Sequence, residues 1–237
     1  MADADFNAQV RTLFDFSRLE KPVQLHLKNV YSCLAICMLA AAVGGYVHVF
    51  TGLMQAGLLT LIGVIGLMIA LSMTANTPEN QPKRLAMLGG FAFFSGMSLG
   101  PLLDVVIEIN PSIIPTAFLG TCVIFACFSL SALLAGDQRK YLYLGGMLFS
   151  GLSIMMLMSL VNLLLGIRLI FELNLYLGLI IMCGFVLYDT QLIVEKRRRG
   201  DTDFIWHSVD LFLDFINIFR RLLIILASKE DRKKNKN

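Results

Sequence analysis

Seven long apolar stretches make up most of the 237 residues of this chain. Each is close to, or longer than, the roughly 20 residues with which a helix crosses about 30 Å of hydrocarbon. The pattern predicts an all-α fold, a polytopic membrane helical bundle of seven hydrophobic helices. Unbroken apolar runs, unlike alternating ones, exclude a transmembrane barrel. The stretches cover residues 29–50, 53–75, 85–107, 112–135, 141–165, 169–194 and 204–227.

The composition leaves no room for a separate soluble domain. Hydrophobic residues form 57% of the chain and charged residues 16%, against about 45–50% and 25% in soluble domains. We predict a cytoplasmic N-terminal segment (1–28), a single transmembrane domain (29–227) and a basic tail (228–237). The first apolar run is too long for the core of a cleaved signal peptide, so we expect an uncleaved anchor.

The five cysteines lie inside the apolar stretches and lack the C-x-x-C spacing of metal sites. Their expected role is therefore packing. Nucleotide motifs are also absent, so energised pumping is not implied. The sequence predicts no cofactor, no fixed metal site and no nucleic-acid partner; the lipid bilayer is the expected environment.

Lysine and arginine alternate between rich and poor connections. Pairs or runs of them occupy residues 83–84, 139–140 and 196–199, whereas residues 51–52 and 108–111 contain none. Because basic loops stay in the cytoplasm, the pattern predicts a cytoplasmic N-terminus.

The basic tail conflicts with this alternation. Seven crossings would place it outside, whereas six crossings and a re-entrant seventh helix would keep it inside. Irregular backbone at membrane depth is tolerated only within protein or along water. We therefore expect the last helix to be polar-striped and central, or re-entrant, with the side of its tail open.

A polar stripe runs along the seventh stretch. Its members are spaced by three or four residues and so share one helix face; they are His207, Asp210, Asp214, Asn217 and Arg221. Charged groups in hydrocarbon are costly unless they are paired or wetted, so this face must meet protein or water. The alternative is an amphipathic helix lying flat at the cytoplasmic surface.

Asp189 of the sixth stretch can meet this stripe. It lies about 9 Å from the cytoplasmic edge, Asp210 about 9 Å and Asp214 about 15 Å. Depth alone does not choose between Asp210 and Asp214. Two close, poorly solvated carboxyls should share a proton, which makes them a candidate pH sensor, cation site or catalytic dyad. Capping of backbone groups, or pairing with Arg221, is the structural alternative.

Three carboxylates lie near the ends of the stretches that are expected to face away from the cytoplasm. Asp104 and Glu108 are four residues apart, and Glu172 opens the sixth stretch. They could gather a cation at a luminal pore mouth, or they could be solvated helix ends.

Three long motifs closely resemble the Bax inhibitor-1 family, and the similarity runs nearly end to end. They are Pro-Ser-Ile-Ile-Pro-Thr-Ala-Phe (111–118), the run from Leu-Tyr-Leu-Gly-Leu to Leu-Tyr-Asp-Thr-Gln-Leu-Ile (175–193), and Asp-Leu-Phe-Leu-Asp-Phe-Ile (210–216). The resemblance implies an endoplasmic reticulum membrane protein that leaks Ca²⁺ in a pH-dependent way. It also implies suppression of apoptosis and of the unfolded-protein response, with Bcl-2-family proteins and stress-response regulators as partners.

The resemblance further assigns the family's pH-sensing aspartate pair to Asp189 and Asp214. Bacterial members hold this pair with an arginine on the second helix. The second stretch here contains no lysine or arginine, so that latch is absent or replaced, and Arg220 and Arg221 are the candidates.

Two other functions compete with a Ca²⁺ leak. One is a non-conducting adaptor that acts through its helices and its tail, whose predicted contacts are Lys229, Arg232, Lys233, Lys234 and Lys236. The other is an intramembrane aspartyl protease, which we reject because neither aspartate of the last stretch lies in a Gly-x-Gly-Asp motif. We predict no enzyme activity and no catalytic residues.

Overall fold

A computed structural model describes residues 19–51, 57–135 and 141–234, and this part of the chain is helical apart from short connections. A π-helical turn, Val47–Thr51, follows the first helix, and a 3₁₀ turn, Pro78–Asn80, precedes the third. The eight α-helices are α1 (Lys21–Tyr46), α2 (Leu58–Met73), α3 (Gln81–Ser98), α4 (Gly100–Ile109), α5 (Ile113–Leu134), α6 (Leu144–Leu165), α7 (Arg168–Arg198) and α8 (Phe204–Lys234).

The prediction of seven helices is not confirmed within the described residues, because the third stretch is broken. Helices α3 and α4 meet at an angle of 42°. Pro101 in the first turn of α4 has no N–H to donate, and its ring would clash with the preceding turn. The break is bridged by the backbone N–H of Leu99, which bonds the carbonyl of Gly96 at 3.1 Å.

Helical structure also extends beyond the predicted domain bounds. Helix α1 begins at Lys21 rather than at 29, with Pro22 in the first turn, where proline is favoured. Helix α8 continues to Lys234, so residues 228–234 of the predicted basic tail are helical. Residues 1–18 and 235–237 lie outside the described residues.

Within residues 19–51, 57–135 and 141–234, four helical segments are long and apolar enough to cross a membrane, and the bent α3–α4 pair makes a fifth if it forms one span. The four are Lys21–Thr51, Ile113–Leu134, Leu144–Leu165 and Arg168–Arg198. Helix α2 is apolar, but its 16 residues reach only about 24 Å. The all-α, multi-pass membrane prediction is therefore confirmed, although only some of the helices are full-length apolar spans.

Helix α8 is the centre of the bundle. It packs against α1, α3, α4, α5 and α7. Helices α1–α3 form one layer beside it and α5–α7 another, with α2 resting mainly on α3 and α6 mainly on α7. Leu211, Phe212, Ile218 and Leu223 of α8 are fully buried. The expected central position is therefore observed, and a helix lying flat at the surface is not.

Helix α8 is also unbroken, so within the described residues it is not re-entrant. Its 31 residues span about 46 Å. His207 near its start contacts His26 near the start of α1, whereas Lys234 at its end donates to the carbonyl of Ile109 in the last residue of α4. The first and last described residues of the chain therefore lie at opposite ends of the bundle. We call them the Arg84 end, where α1 and α8 begin, and the Glu172 end, where α4 and α8 stop.

Helices α1 and α3 approach each other closely at two glycines. A Cβ on Gly96 would lie 1.9 Å from the carbonyl oxygen of Ala41, and one on Gly44 would lie 2.0 Å from that of Phe93. These backbone carbonyl groups cannot move aside as a flexible side chain can. Small residues thus set the spacing between α1 and α3, as expected for packing in lipid.

We expect Gly96→Ala to lower the free energy of unfolding by about 1–3 kcal/mol, because the added methyl group forces the two backbones apart. Gly89→Ala is the matched control on the same helix, since a Cβ there meets nothing within 4 Å. It should be neutral or stabilising by up to about 1 kcal/mol. Titration with a denaturing detergent measures both, and equal effects would show that the α1–α3 approach is not tight.

Candidate functional site

The polar stripe of α8 meets different partners at different levels of the bundle. His207 lies at the Arg84 end, Asp210 and Asp214 lie deeper, and Asn217 and Arg221 follow toward the Glu172 end. One helix face therefore supplies several separate sites, of which the aspartates form the candidate functional one.

The side chains of Asp189 of α7 and Asp214 of α8 are close enough to interact directly. Asp214 is only 6% exposed, and its Oδ2 atom has no hydrogen-bond partner in the described part of the chain. Ionised carboxylates have acceptors only, so a hydrogen bond between the two needs a proton on one of them. The sequence left Asp210 and Asp214 open as partners by depth, and the structure brings Asp214 to Asp189.

Asp210 extends the pair by one helical turn toward the Arg84 end. Its Oδ2 lies 4.0 Å from the Nζ of Lys196 on α7. Both Asp210 and Lys196 are close enough to Asp189 to act on it electrostatically. The site is therefore a row of three carboxyls, Asp189, Asp210 and Asp214, which we call the ladder. Lys196 contacts the carboxyl nearest the Arg84 end.

Packing covers the inner end of the ladder around Asp214. Thr190, next to Asp189, is fully buried, and its hydroxyl lies 3.3 Å from that of Ser129 on α5. Ser129 in turn contacts the hydroxyl of Tyr31 on α1. On α8, Phe212 and Phe215 are buried beside Asp214. This hydroxyl chain fixes α7 against two other helices, so that Asp189 is presented to α8.

Arg221 and Asn217 do not join the aspartates. Arg221 donates to the carbonyl of Asn174 at 3.1 Å, and its guanidinium lies over Gly178, where a Cβ would come within 2.1 Å of it. Asn217 donates to the carbonyl of Leu213, one turn before it on α8, at 2.8 Å. Arg220 is exposed. The guess that Arg220 or Arg221 replaces the bacterial latch is not supported by these contacts, and Lys196 is the cation nearest the ladder.

His207 belongs to a different cluster. Its Nδ1 lies 2.9 Å from the Nε2 of His26, and its Nε2 lies 3.4 Å from Asp201 in the α7–α8 connection. Burial alone would raise the pKa of Asp201, but the N–H of Asp203, the neighbouring His207 and Lys196 lower that pKa below its ordinary value. Asp201 is thus a carboxylate at neutral pH, close to an imidazole nitrogen that has no hydrogen-bond partner within the described residues.

A buried ion pair at the Arg84 end was missed by the sequence analysis. Arg84 is 2% exposed and donates to both oxygens of Asp203, at 2.9 and 2.6 Å, and to Asn76 at 3.0 Å. Asp203 also accepts from the backbone N–H of Trp206 at 3.0 Å. An aspartate just before a helix is a capping signal, but its partner 119 residues earlier in the chain gives no local signal.

The three carboxylates of the predicted luminal mouth differ in their described contacts. Asp104 pairs with His48 at 3.2 Å, and Glu108 is exposed. Glu172 pairs with Arg168 at 3.1 Å and also contacts Arg232. Among the described residues there is no group of three or more His, Cys, Asp or Glu side chains that could hold a metal ion. We expected a mouth because these carboxylates lie close together along the helices. In the structure, the described partners of Asp104 and Glu172 are a histidine and two arginines.

The predicted tail contacts lie partly against the bundle. Arg232 contacts Glu172, and Lys234 donates to the carbonyl of Ile109. Lys233 pairs within its own helix with Glu230 at 3.7 Å, and Lys229 is exposed. Lys236 lies outside the described residues. Two of the five basic residues therefore fasten the end of α8 to its neighbours.

Comparison with known proteins supports the resemblance seen in the motifs. Residues 23–231 match the family described as "Inhibitor of apoptosis-promoting Bax1". The chain is 58% identical to "Probable Bax inhibitor 1" of Paralichthys olivaceus over 98% of both chains. It is 56% identical to "Bax inhibitor 1" of Bos taurus and 54% identical to that of Homo sapiens, each over 94% of both chains.

We expect Arg84→Gln to lower the free energy of unfolding by about 3 kcal/mol or more, because it leaves the Asp203 carboxylate unpaired in a poorly solvated place. Arg168→Gln is the control. It removes an arginine whose ion pair with Glu172 is largely exposed, and it should change stability by about 1 kcal/mol or less. A double variant with Asp203→Asn should be less unstable than the sum of the single variants. Equal losses in the two arginine variants would contradict a special role for the buried pair.

Proposed function

Because the chain belongs to the Bax inhibitor-1 family, we propose that it is a membrane protein that suppresses apoptosis and forms a pH-sensitive leak path for Ca²⁺. Asp189 and Asp214 are the gate of this path. The endoplasmic reticulum is its membrane, damping of the unfolded-protein response is its second effect, and Bcl-2-family proteins and stress-response regulators are its partners. The proposal assigns it no catalytic activity and no cofactor, with Ca²⁺ as the transported ion.

The observation that carries the proposal is the contact between two carboxyls from neighbouring helices in the centre of the bundle. With one shared proton the two side chains attract, and they tie α7 to α8. Without that proton two adjacent carboxylates repel, and with two protons the pair loses its charge. Protonation therefore biases the relative position of two packed helices, which is what a gate with two states requires.

The chemistry of the ladder suits a calcium ion in transit. Ca²⁺ is bound by carboxylate and other oxygen ligands, and Asp189, Asp210 and Asp214 offer carboxyl oxygens at successive levels of α7 and α8. Asp210 is already compensated by Lys196, so the ladder is not a strong fixed site. A weak row of oxygens is appropriate for passage, since a tightly bound ion would not leave.

The proposal is tested with the purified protein in proteoliposomes, as Ca²⁺ flux between pH 6 and pH 8. Wild-type flux should change with pH, whereas Asp189→Asn and Asp214→Asn should each give a flat profile. An asparagine still donates a hydrogen bond to the remaining carboxyl, but it does not titrate. Asp231→Asn is the matched control, because Asp231 is exposed near the end of the same helix, and it should keep the wild-type profile.

Two outcomes would contradict the proposal. An unchanged pH profile in both aspartate variants would remove the gate. Absence of any wild-type flux would favour the adaptor, and removal of residues 229–237 should then abolish protection from cell death, with Asp189→Asn leaving it intact.

A further inference from the structure

A pocket of about 430 Å³ opens at the Arg84 end, between the first turns of α1 and the end of α7. None of the three ladder carboxyls borders it, so it is separate from the proposed gate. Its walls are formed by Lys21, Pro22, Leu25, His26 and Asn29 of α1 and by Arg197, Thr202 and Phe204.

Two cations from different helices border this pocket. Neither Lys21 nor Arg197 forms a hydrogen bond or an ion pair within the part of the chain that the structure describes, and no carboxylate from that part borders the pocket. Glu20 precedes Lys21 but is exposed and does not border it. The described walls of the pocket therefore present positive charge without a counter-ion of their own.

The nearby carboxylates already have partners. Asp203 is held by Arg84, Asp201 contacts His207, and Glu195 pairs with Arg199. These carboxylates lower the positive electrostatic potential at the pocket, since Asp201 and Asp203 both lie within electrostatic range of His26. Their described contacts, however, are with residues that do not border the pocket.

The remaining polar groups of the walls add donors for an anion. Asn29 contributes an amide, and Thr202 a hydroxyl. The first turn of α1 contributes the positive end of a helix, and no side chain caps it by a hydrogen bond. Helix starts accompanied by cationic side chains commonly bind phosphate groups.

We propose that this pocket binds a phosphate group. The guanidinium of Arg197 matches the geometry of phosphate oxygens, and Lys21 supplies a second positive charge from the opposite wall. The volume lies within the range of about 300–1,000 Å³ found for small-molecule sites, so the phosphate can carry a further group. A lipid headgroup and a soluble phosphate share this chemistry.

Occupancy would connect three helices. The phosphate would bridge α1 and α7 through Lys21 and Arg197. On the same wall, His26 contacts His207 of α8 at 2.9 Å. A bound anion therefore holds α1 and α7 together beside the start of the central helix.

The experiment uses the purified full-length chain and two probes. Calorimetric titration with inorganic phosphate tests the soluble source, and native mass spectrometry with phosphatidic acid tests the headgroup source. We expect saturable binding of at least one probe. Arg197→Gln and Lys21→Gln should each weaken it about tenfold or more, as expected for loss of a charge-assisted contact. Binding of the lipid alone identifies a headgroup as the ligand, and binding of phosphate identifies a soluble group.

Arg199→Gln is the charge-matched control, since it removes a cation two residues from Arg197 that does not border the pocket. It should bind each probe as the wild type does. Asn29→Asp is a nearly isosteric variant that should abolish binding by repulsion while the thermal unfolding temperature stays close to that of the wild type. The proposal is overturned if neither probe binds, if Arg199→Gln weakens binding as much as Arg197→Gln, or if a folded Asn29→Asp binds normally.

Discussion

The carboxyl groups of α8 impose the constraint on which the remaining structure depends. An ionisable side chain in the hydrocarbon region must be surrounded by protein or water, and Asp214 lies near the middle of a helix whose neighbouring residues are large and apolar. Such a helix is stable only if other helices cover it on all sides. The two layers, α1–α3 and α5–α7, provide this cover, so the polar helix is the core and the apolar helices are the shell.

Polar contacts hold both ends of α8. At the Arg84 end the connection before the helix is held by the bidentate contact between Arg84 and Asp203. At the Glu172 end Arg232 and Lys234 fasten the last turns to α7 and α4. Between them the ladder places Asp189 of α7 against Asp214 of α8. A helix held at both ends is suited to small displacements at its centre, which is what the proposed gate requires.

Positive charge reaches the aspartates from a different direction than the second-helix arginine expected from bacterial members of the family. Helix α2 carries no cation, and Arg221, the arginine on the same face as the aspartates, is turned to the backbone carbonyl of Asn174. Lys196 reaches Asp210 from the end of α7 instead. Positive charge thus approaches the ladder from the Arg84 end. The proposed phosphate pocket lies at that end too, beside the same turn of α7.

The sequence by itself determined the helical class, the membrane setting, the face of α8 that carries the polar stripe and, through long motifs, the family. These follow from hydropathy and from the 3.6-residue period, which are local properties of the chain. Depth calculations brought Asp189 within reach of two aspartates but could not choose between them, because one helical turn separates Asp210 from Asp214.

The family resemblance assigned Asp214, whereas only the tertiary structure decided the pairing of Arg84 with Asp203, the separate partners of the outer carboxylates and the unbroken course of α8. Each depends on which residues from distant parts of the chain share a small volume. Side-chain packing between helices fixes that, and no local pattern encodes it.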